Sequence, residues 1–189
     1  MAQVATVDEK RALIEAGLAV LRRRGTEGCT VAEVLTEAGL STRAFYRHFD
    51  SKDSLILAIY EHDSRATQAR LRARLDAASS ARVALELWID ETLALGFDAR
   101  RARRTRPLAR EGMRLEAEHP AEFARIVTDV LDPLVGVLRR AKSPEPERDA
   151  RSIHAVTWSL VEEKLAGGSI TREEARAHAL RFCRAAIAS

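Results

Sequence analysis

Cysteine is scarce in this sequence. The 189 residues include two, Cys29 and Cys183, at opposite ends of the chain, and neither has metal-ligand spacing around it. We therefore expect no disulfide, no metal site and no cofactor. No run approaches the roughly 18 apolar residues that a membrane span needs, and the N-terminus lacks the apolar segment of a signal peptide. These absences predict a cytoplasmic protein.

Strand patterns are also missing, because no segment alternates apolar and polar residues for long. Aromatic residues make up only 5% of the chain, but 46% hydrophobic and 31% charged residues are ordinary for a globular protein. Apolar residues instead recur at spacings of three and four, which is the period of an amphipathic helix. The sequence predicts an all-α fold.

Positive charge has only a small excess, with a formal net charge of +3. Residues 1–55 carry eight basic and eight acidic side chains, so the N-terminal part is neutral. This excludes a protein that coats nucleic acid by bulk charge. Any DNA contact must depend on a few well-placed cations.

Local signals mark the first two predicted helices. The first covers about residues 8–24 and ends at Gly25. Thr30 and Glu33 have the spacing of a capping box, which predicts the start of a second, short helix. Gly39 ends this second helix.

A third short helix begins near Ser41 and reaches Phe49. Either Ser41 or Thr42 can cap it, and Ser51 caps a fourth helix that begins around Lys52. Further helices are predicted over residues 81–97, 108–118, 120–138, 148–166 and 172–187.

Two prolines and one more capping pair bear on these later helices. Pro107 should break the chain between the arginine-rich segment 100–106 and the next helix, and Pro133 should kink a longer one. Thr171 and Glu174 form a second predicted capping box. We divide the chain into two domains, residues 1–53 and residues 54–189.

The segment 30–49 has the order helix, glycine turn, helix, which is typical of a helix-turn-helix. Its second helix would span roughly 12 Å, about the width of the B-DNA major groove. At the start of this recognition helix Thr42 can hydrogen-bond a base edge, Arg43 can contact guanine, and Ala44 can touch a thymine methyl group. These three residues are predicted to read sequence.

Side chains further along are predicted to bind phosphates. Tyr46, His48 and Lys52 carry a hydroxyl, an imidazole and an ammonium group. Backbone amides at the capped helix starts, marked by Thr30 and Ser41, would join them. Phe45 and Phe49 are predicted to pack in the core instead.

The segment CTVAEVLTEAGLSTRAFYRHFDSKDSLI resembles the N-terminal domain of the TetR family of transcriptional regulators. The resemblance covers about residues 8–60. It depends on the spacing of five residues, Gly39, Tyr46, Phe49, Lys52 and Leu55.

This resemblance implies an all-helical homodimer of two-domain subunits. Its C-terminal helices would form a ligand cavity and a dimeric four-helix interface, and ligand binding would usually release the DNA. The family's base-reading positions fall on Thr42, Arg43 and Ala44. Its phosphate-contacting positions fall on Tyr46, His48 and Lys52.

A dimer with two equivalent DNA-binding domains predicts a near-palindromic operator. The last two helices, 148–166 and 172–187, are our interface candidates because each carries an apolar stripe. Both stripes could equally belong to the core of a single chain, and the family resemblance is what favours the interface.

A cavity in the second domain predicts a small apolar or amphipathic effector. Glu86, Asp90, His154 or Thr157 would supply its polar anchor. The arginines of residues 100–106 are interpreted as a solvated face. The candidate lining residues are Trp88, Phe97, Met113, Phe123, His154 and Trp158.

Two other classes of function fit the sequence less well. Glu116, Glu118, His119 and Glu122 could suggest an enzyme's metal cluster, but they lack the spacing of a metalloprotease and fit solvated helix ends better. A purely structural bundle would leave Arg43 and the capped turn unexplained. The sequence therefore predicts no enzyme, but a ligand-responsive regulator, in most such cases a repressor.

Overall fold

The computed structural model describes the backbone of residues 2–184 and, within that range, every side chain except those of residues 2–7, 26, 27, 66 and 67. This part of the chain forms nine helices and no strand, which confirms the all-α prediction. In chain order the helices are α1 (Ala2–Gly28), α2 (Val31–Ala38), α3 (Thr42–His48), α4 (Lys52–Asp76), α5 (Ala81–Phe97), α6 (Ala99–Glu118), α7 (Pro120–Arg140), α8 (Pro146–Leu165) and α9 (Arg172–Cys183).

Helix α1 begins at Ala2, well before the predicted start at Asp8. The predicted stop at Gly25 is a kink, with φ of 71° and ψ of −172°. Glycine adopts this positive φ without the steric cost that a Cβ atom would bring. One more turn, through Gly28, follows the kink.

The break predicted at Pro107 is wrong, because α6 runs through it from Ala99 to Glu118. Proline removes one backbone donor from the helix. The start of α6 is capped, since the Asp98 carboxylate accepts the Arg101 N–H at 2.9 Å, and Leu115 on the same helix is buried.

The capping box predicted at the start of α9 is confirmed. Thr171 Oγ1 accepts the Glu174 N–H at 3.2 Å, and the Glu174 carboxylate accepts the Thr171 N–H at 2.9 Å. The predicted end of this helix, with Ile187, lies outside the described residues.

The chain forms two compact units. The first contains residues up to Ser64 together with Pro107–Ile126, and the second contains Arg65–Arg106 together with the residues from Val127 on. Compactness does not by itself define domains, so the division into 1–53 and 54–189 stays a prediction.

The core of the first unit holds α1, α3 and the start of α4 together. Phe45 and Phe49 are buried in it, as predicted. Gly17 on α1 permits close packing, since a Cβ atom there would lie 2.8 Å from Ile59 Cδ1. The same core includes Leu13, Val20, Leu21, Val34 and Leu55.

In the second unit α5 packs against both α8 and α9. The apolar stripes that made α8 and α9 interface candidates are mostly buried within this single chain. Of the two alternatives left open for them, the structure shows intramolecular core. The buried stripe residues include Ile153, Thr157, Leu160, Val161, Leu165, Ala179, Leu180 and Cys183.

Candidate nucleic-acid interface

The turn between α2 and α3 has the predicted geometry. Gly39 is left-handed, with φ of 64° and ψ of 29°, and its N–H donates to the Leu35 carbonyl. The Leu40 N–H donates to the same oxygen at 3.1 Å. These bonds end α2 sharply and direct the chain into α3.

The capping box predicted at Thr30 forms only in half. Thr30 Oγ1 accepts the Glu33 N–H at 3.2 Å, but the Glu33 carboxylate binds Arg24 Nη1 at 2.7 Å. The Thr30 N–H donates instead to the Gly28 carbonyl at 3.1 Å. A charged guanidinium is a stronger partner for the carboxylate than a backbone amide.

Ser41, and not Thr42, caps the recognition helix α3. Its hydroxyl accepts the Ala44 N–H at 3.3 Å. Thr42 and Arg43 are exposed at the start of the helix. Among the described residues, Arg43 has no ion-pair or hydrogen-bond partner for its guanidinium, so this cation is available to a ligand.

Tyr46 is exposed over 60% of its surface. Its ring stands edge-on to the buried Phe45 ring, with centroids 5.3 Å apart and an interplanar angle of 83°. This contact limits the directions in which the phenol can point. Tyr46 is therefore held at the surface that also carries Thr42 and Arg43.

The structure contradicts the base contact predicted for Ala44. Its residue surface is only 3% exposed, because it lies on the inward side of α3. Consecutive helix residues are about 100° apart around the axis, so Ala44 cannot share one face of α3 with both Thr42 and Arg43. We leave Ala44 out of the interface.

His48, a predicted phosphate contact, has only 8% of its side chain exposed. Its Nε2 lies 3.1 Å from Glu9 Oε2. Arg47 Nη1 donates to the same oxygen, also at 3.1 Å. The sequence analysis missed both Glu9 and Arg47. Arg47 could have been found, because it lies one turn after Arg43.

Lys52 is the first residue of α4, and it is half-buried. Ser51 caps this helix as predicted, since its hydroxyl accepts the Ser54 N–H at 3.1 Å. The Ser54 hydroxyl accepts the Ser51 N–H at the same distance. This pair of bonds fixes the helix start that carries Lys52.

The arginines at the end of α1 form ion pairs with acidic side chains of other helices. Arg22 contacts Asp63 and Arg23 contacts Glu37, each at 2.7 Å. The hydrogen bond from Arg23 lowers the pKa of Glu37. With Arg24 bound to Glu33, each arginine of this run pairs with a carboxylate on another helix.

Of the four residues considered as a metal cluster, the structure brings Glu118 and His119 near Asp53. Their ligand atoms lie within 4.8 Å of one another. Arg114 donates hydrogen bonds to Asp53 and to Glu118, and the bond to Asp53 is the main cause of that carboxyl's lowered pKa. A guanidinium therefore already supplies the positive charge among these carboxylates.

Three predicted effector-lining residues meet in the second unit. The His154 ring stacks on Trp158, with centroids 5.9 Å apart, and meets Trp88 edge-on at 6.2 Å. Burial lowers the pKa of His154. Its Nδ1 is buried without a hydrogen-bond partner.

For the other three predicted lining residues the structure gives different surroundings. Phe97, also in the second unit, packs beneath Lys164 Nζ at 5.7 Å. Phe123 belongs to the first unit and contacts Tyr60 edge-on at 5.9 Å. Met113, in the first unit too, is 64% exposed.

Of the four proposed polar anchors, three have partners within the chain. Asp90 accepts from Arg176 Nε at 2.7 Å, and Glu86 pairs with Arg184 at 3.0 Å. The Thr157 hydroxyl donates to the Ile153 carbonyl at 2.7 Å. His154 is the candidate that keeps an unsatisfied polar atom.

No described helix is long and apolar enough to cross a membrane.

Comparison with known proteins gives one family match. Residues 13–59 match the family model described as bacterial regulatory proteins, tetR family. The chain is 33% identical over 114 residues to the HTH-type transcriptional regulator CymR of Pseudomonas putida, covering 56% of each chain. It spans about half the length of the curated relatives it matches.

Solved structures share the fold over nearly the whole chain. A transcriptional regulator from Rhodococcus sp. Rha1 has a TM-score of 0.66 and 25% identity, with 94% of this chain and 95% of that chain covered. The regulator FadR of Bacillus subtilis, in complex with stearoyl-CoA, has a TM-score of 0.64 and 14% identity, with 94% and 97% covered.

These relatives are described as regulators and not as enzymes, in agreement with the sequence-based prediction. The family match covers α2, α3 and the turn between them, the same elements whose geometry predicts a DNA-reading head. Residues 13–59, which contain this helix-turn-helix, are thus similar to the tetR family of bacterial regulatory proteins.

Proposed function

We propose that this protein is a ligand-responsive transcriptional repressor. It binds a palindromic operator as a homodimer and releases it when a small apolar or amphipathic effector binds the C-terminal domain. Residues 1–53 are the reading head and residues 54–189 carry the effector site and the dimer contacts.

One observation carries the DNA-binding part of the proposal. Thr42, Arg43 and Tyr46 are exposed on α3, while Phe45 and Phe49 anchor the opposite side of that helix in the core. A short helix held in this way can enter the major groove by its N-terminal end. Thr42 and Arg43 then face base edges, and Tyr46 and Lys52 face phosphates.

The binding experiment is fluorescence anisotropy with the duplex upstream of the protein's own gene. We expect footprinting on this duplex to show protection of two half-sites about 34 to 36 Å apart, and light scattering to show one dimer per duplex. The matched control is the same duplex with one half-site scrambled. Equal affinity for both duplexes contradicts operator recognition, and a monomer on the intact duplex contradicts the dimer.

The effector part of the proposal is supported by the cluster of Trp88, His154 and Trp158. A buried nitrogen without a partner costs about 1 to 3 kcal/mol, which a polar group on a ligand would recover. The surrounding rings suit the apolar part of that ligand. The FadR complex shows that this fold accommodates an amphipathic acyl compound in another protein.

His154→Phe tests the effector site, because it keeps a ring of similar shape and removes the unsatisfied nitrogen. We expect the ligand-free variant to melt at the wild-type temperature or above it. An effector found by thermal shift should stabilise the wild type and release its DNA, and should do neither in the variant. An unchanged effector response in His154→Phe contradicts the placement of the site.

A further inference from the structure

Glu9 on α1 binds two basic side chains of the recognition helix through a single oxygen. Arg47 Nη1 and His48 Nε2 each lie 3.1 Å from Glu9 Oε2. A carboxylate oxygen only accepts hydrogen bonds, so Nε2 of His48 carries the proton in this contact. The Glu9 side chain is three-quarters buried in the structure, and His48 is more enclosed still.

These contacts divide the basic side chains of α3 into two groups. Arg43, at the base-reading end, has no partner among the described residues. Arg47 and His48, in the last turn of α3, are both held by Glu9. Tyr46, in this last turn, and Lys52, four residues after His48, are the proposed phosphate contacts.

Other charged groups near this end of α3 do not replace Glu9. Lys10, the next residue on α1, lies over the Phe49 ring at 5.8 Å from its centroid. Asp50 follows Phe49 and is exposed. Glu9 is thus the carboxylate that the structure places directly on Arg47 and His48.

We propose that Glu9 restrains sequence-independent DNA binding by holding Arg47 and His48 away from phosphates. The inference rests on the proposed DNA-binding function. Binding to arbitrary DNA depends on the number of phosphates that cations neutralise. Arg47 and His48, while bound to Glu9, neutralise fewer phosphates than they would if released. Arg43 has no such partner among the described residues and remains able to contact a base.

The test compares Glu9→Gln and Glu9→Ala with the wild type on a random-sequence duplex. The first variant removes the charge, and the second also removes the acceptor. Each neutralised phosphate contributes about 0.9 to the slope of log K against log salt. If one or both of the released side chains bind a phosphate, affinity should fall about 3- to 12-fold more between 50 and 200 mM salt than it does for the wild type.

Glu15→Gln is the matched control, because Glu15 is an exposed acid on the same helix whose ion pair is with Arg11, at 3.8 Å. Tighter random-sequence binding at low salt with a steeper slope in both Glu9 variants, and not in Glu15→Gln, supports the inference. Thermal unfolding of each variant checks that the head is folded.

Two results would overturn the inference without touching the proposed function. One is a salt slope in the folded Glu9 variants equal to that of Glu15→Gln. The other is weaker binding to random DNA in those variants, which would assign Glu9 a purely structural role. If the wild type binds no duplex even at low salt, both the inference and the proposed function fail.

Discussion

Arg114 on α6 binds the Asp53 carboxylate on α4 with both terminal nitrogens. Nη2 lies 2.5 Å from Oδ1, and Nη1 lies 3.2 Å from Oδ2. Asp53 directly follows Lys52, the proposed phosphate contact. Within the first unit this bidentate pair connects α6 to the start of α4, which carries the proposed phosphate contact.

Arg114→Ala should lower the free energy of unfolding by about 1 to 2 kcal/mol. The change leaves Glu111, a carboxylate with only 5% of its side chain exposed, without its guanidinium, although solvent around Asp53 reduces the cost. Chemical denaturation measures the effect. Arg110→Ala, at an exposed position on the same helix, is the control and should change stability by less than about 0.5 kcal/mol. If both variants lose the same free energy of unfolding, the Arg114–Asp53 pair does not contribute specially to stability.

The same pair predicts a pH dependence of stability. Arg114 holds the pKa of Asp53 below its ordinary value of 3.8. The stabilisation is therefore complete above pH 3.8 and is lost as the pH falls through the lowered pKa. Asp53→Asn should destabilise the protein at pH 7 and differ less from the wild type as the pH falls below 3.8. If the difference in unfolding free energy between Asp53→Asn and the wild type grows as the pH falls, the predicted pH dependence is wrong.

Arg43→Ala should cost about 1 to 3 kcal/mol of binding free energy on the operator and relax the preference at one base pair. The reason is that its guanidinium is exposed and unpaired in the described part of the head. Anisotropy with operators changed one base pair at a time measures the effect. Arg100→Ala, on α6, is the control for lost positive charge. Equal weakening on every sequence would assign Arg43 to phosphate instead.

Lys52→Ala should weaken binding to all duplexes alike and lower the salt slope by roughly one unit. Its position at the capped start of α4 suits a phosphate contact, which carries no sequence information. Lys142→Ala, in the second unit, is the matched control and should leave the slope unchanged. If Lys52→Ala also keeps the wild-type slope, Lys52 makes no phosphate contact.

Features that depend on neighbours in sequence can be predicted without the structure. The cap at Ser51, the capping box at Thr171 and the turn at Gly39 involve residues within about four positions of one another. Backbone groups at a helix end need a partner nearby, and small polar side chains or glycine supply it. The same reasoning locates α3 and its exposed Thr42 and Arg43.

Features that depend on the packing of distant segments cannot be predicted in this way. The position of Ala44 near the start of α3 predicts a groove contact, but the rotation of that helix about its axis is set by the burial of Phe45 and Phe49. The Thr30 capping box fails because Arg24, on another helix, takes the Glu33 carboxylate. Pro107 is predicted to break the chain, but α6 continues through it.

The sequence by itself determined that this protein is helical, that a helix-turn-helix lies between residues 30 and 49, and which family it resembles, because these follow from local periodicity, capping and spacing. Only the tertiary structure decided which cations of that motif are free. Glu9 reaches His48 and Arg114 reaches Asp53 across stretches of chain that no local pattern connects. Folding brings these side chains together, and it leaves Arg43 exposed, with no partner for its guanidinium among the described residues.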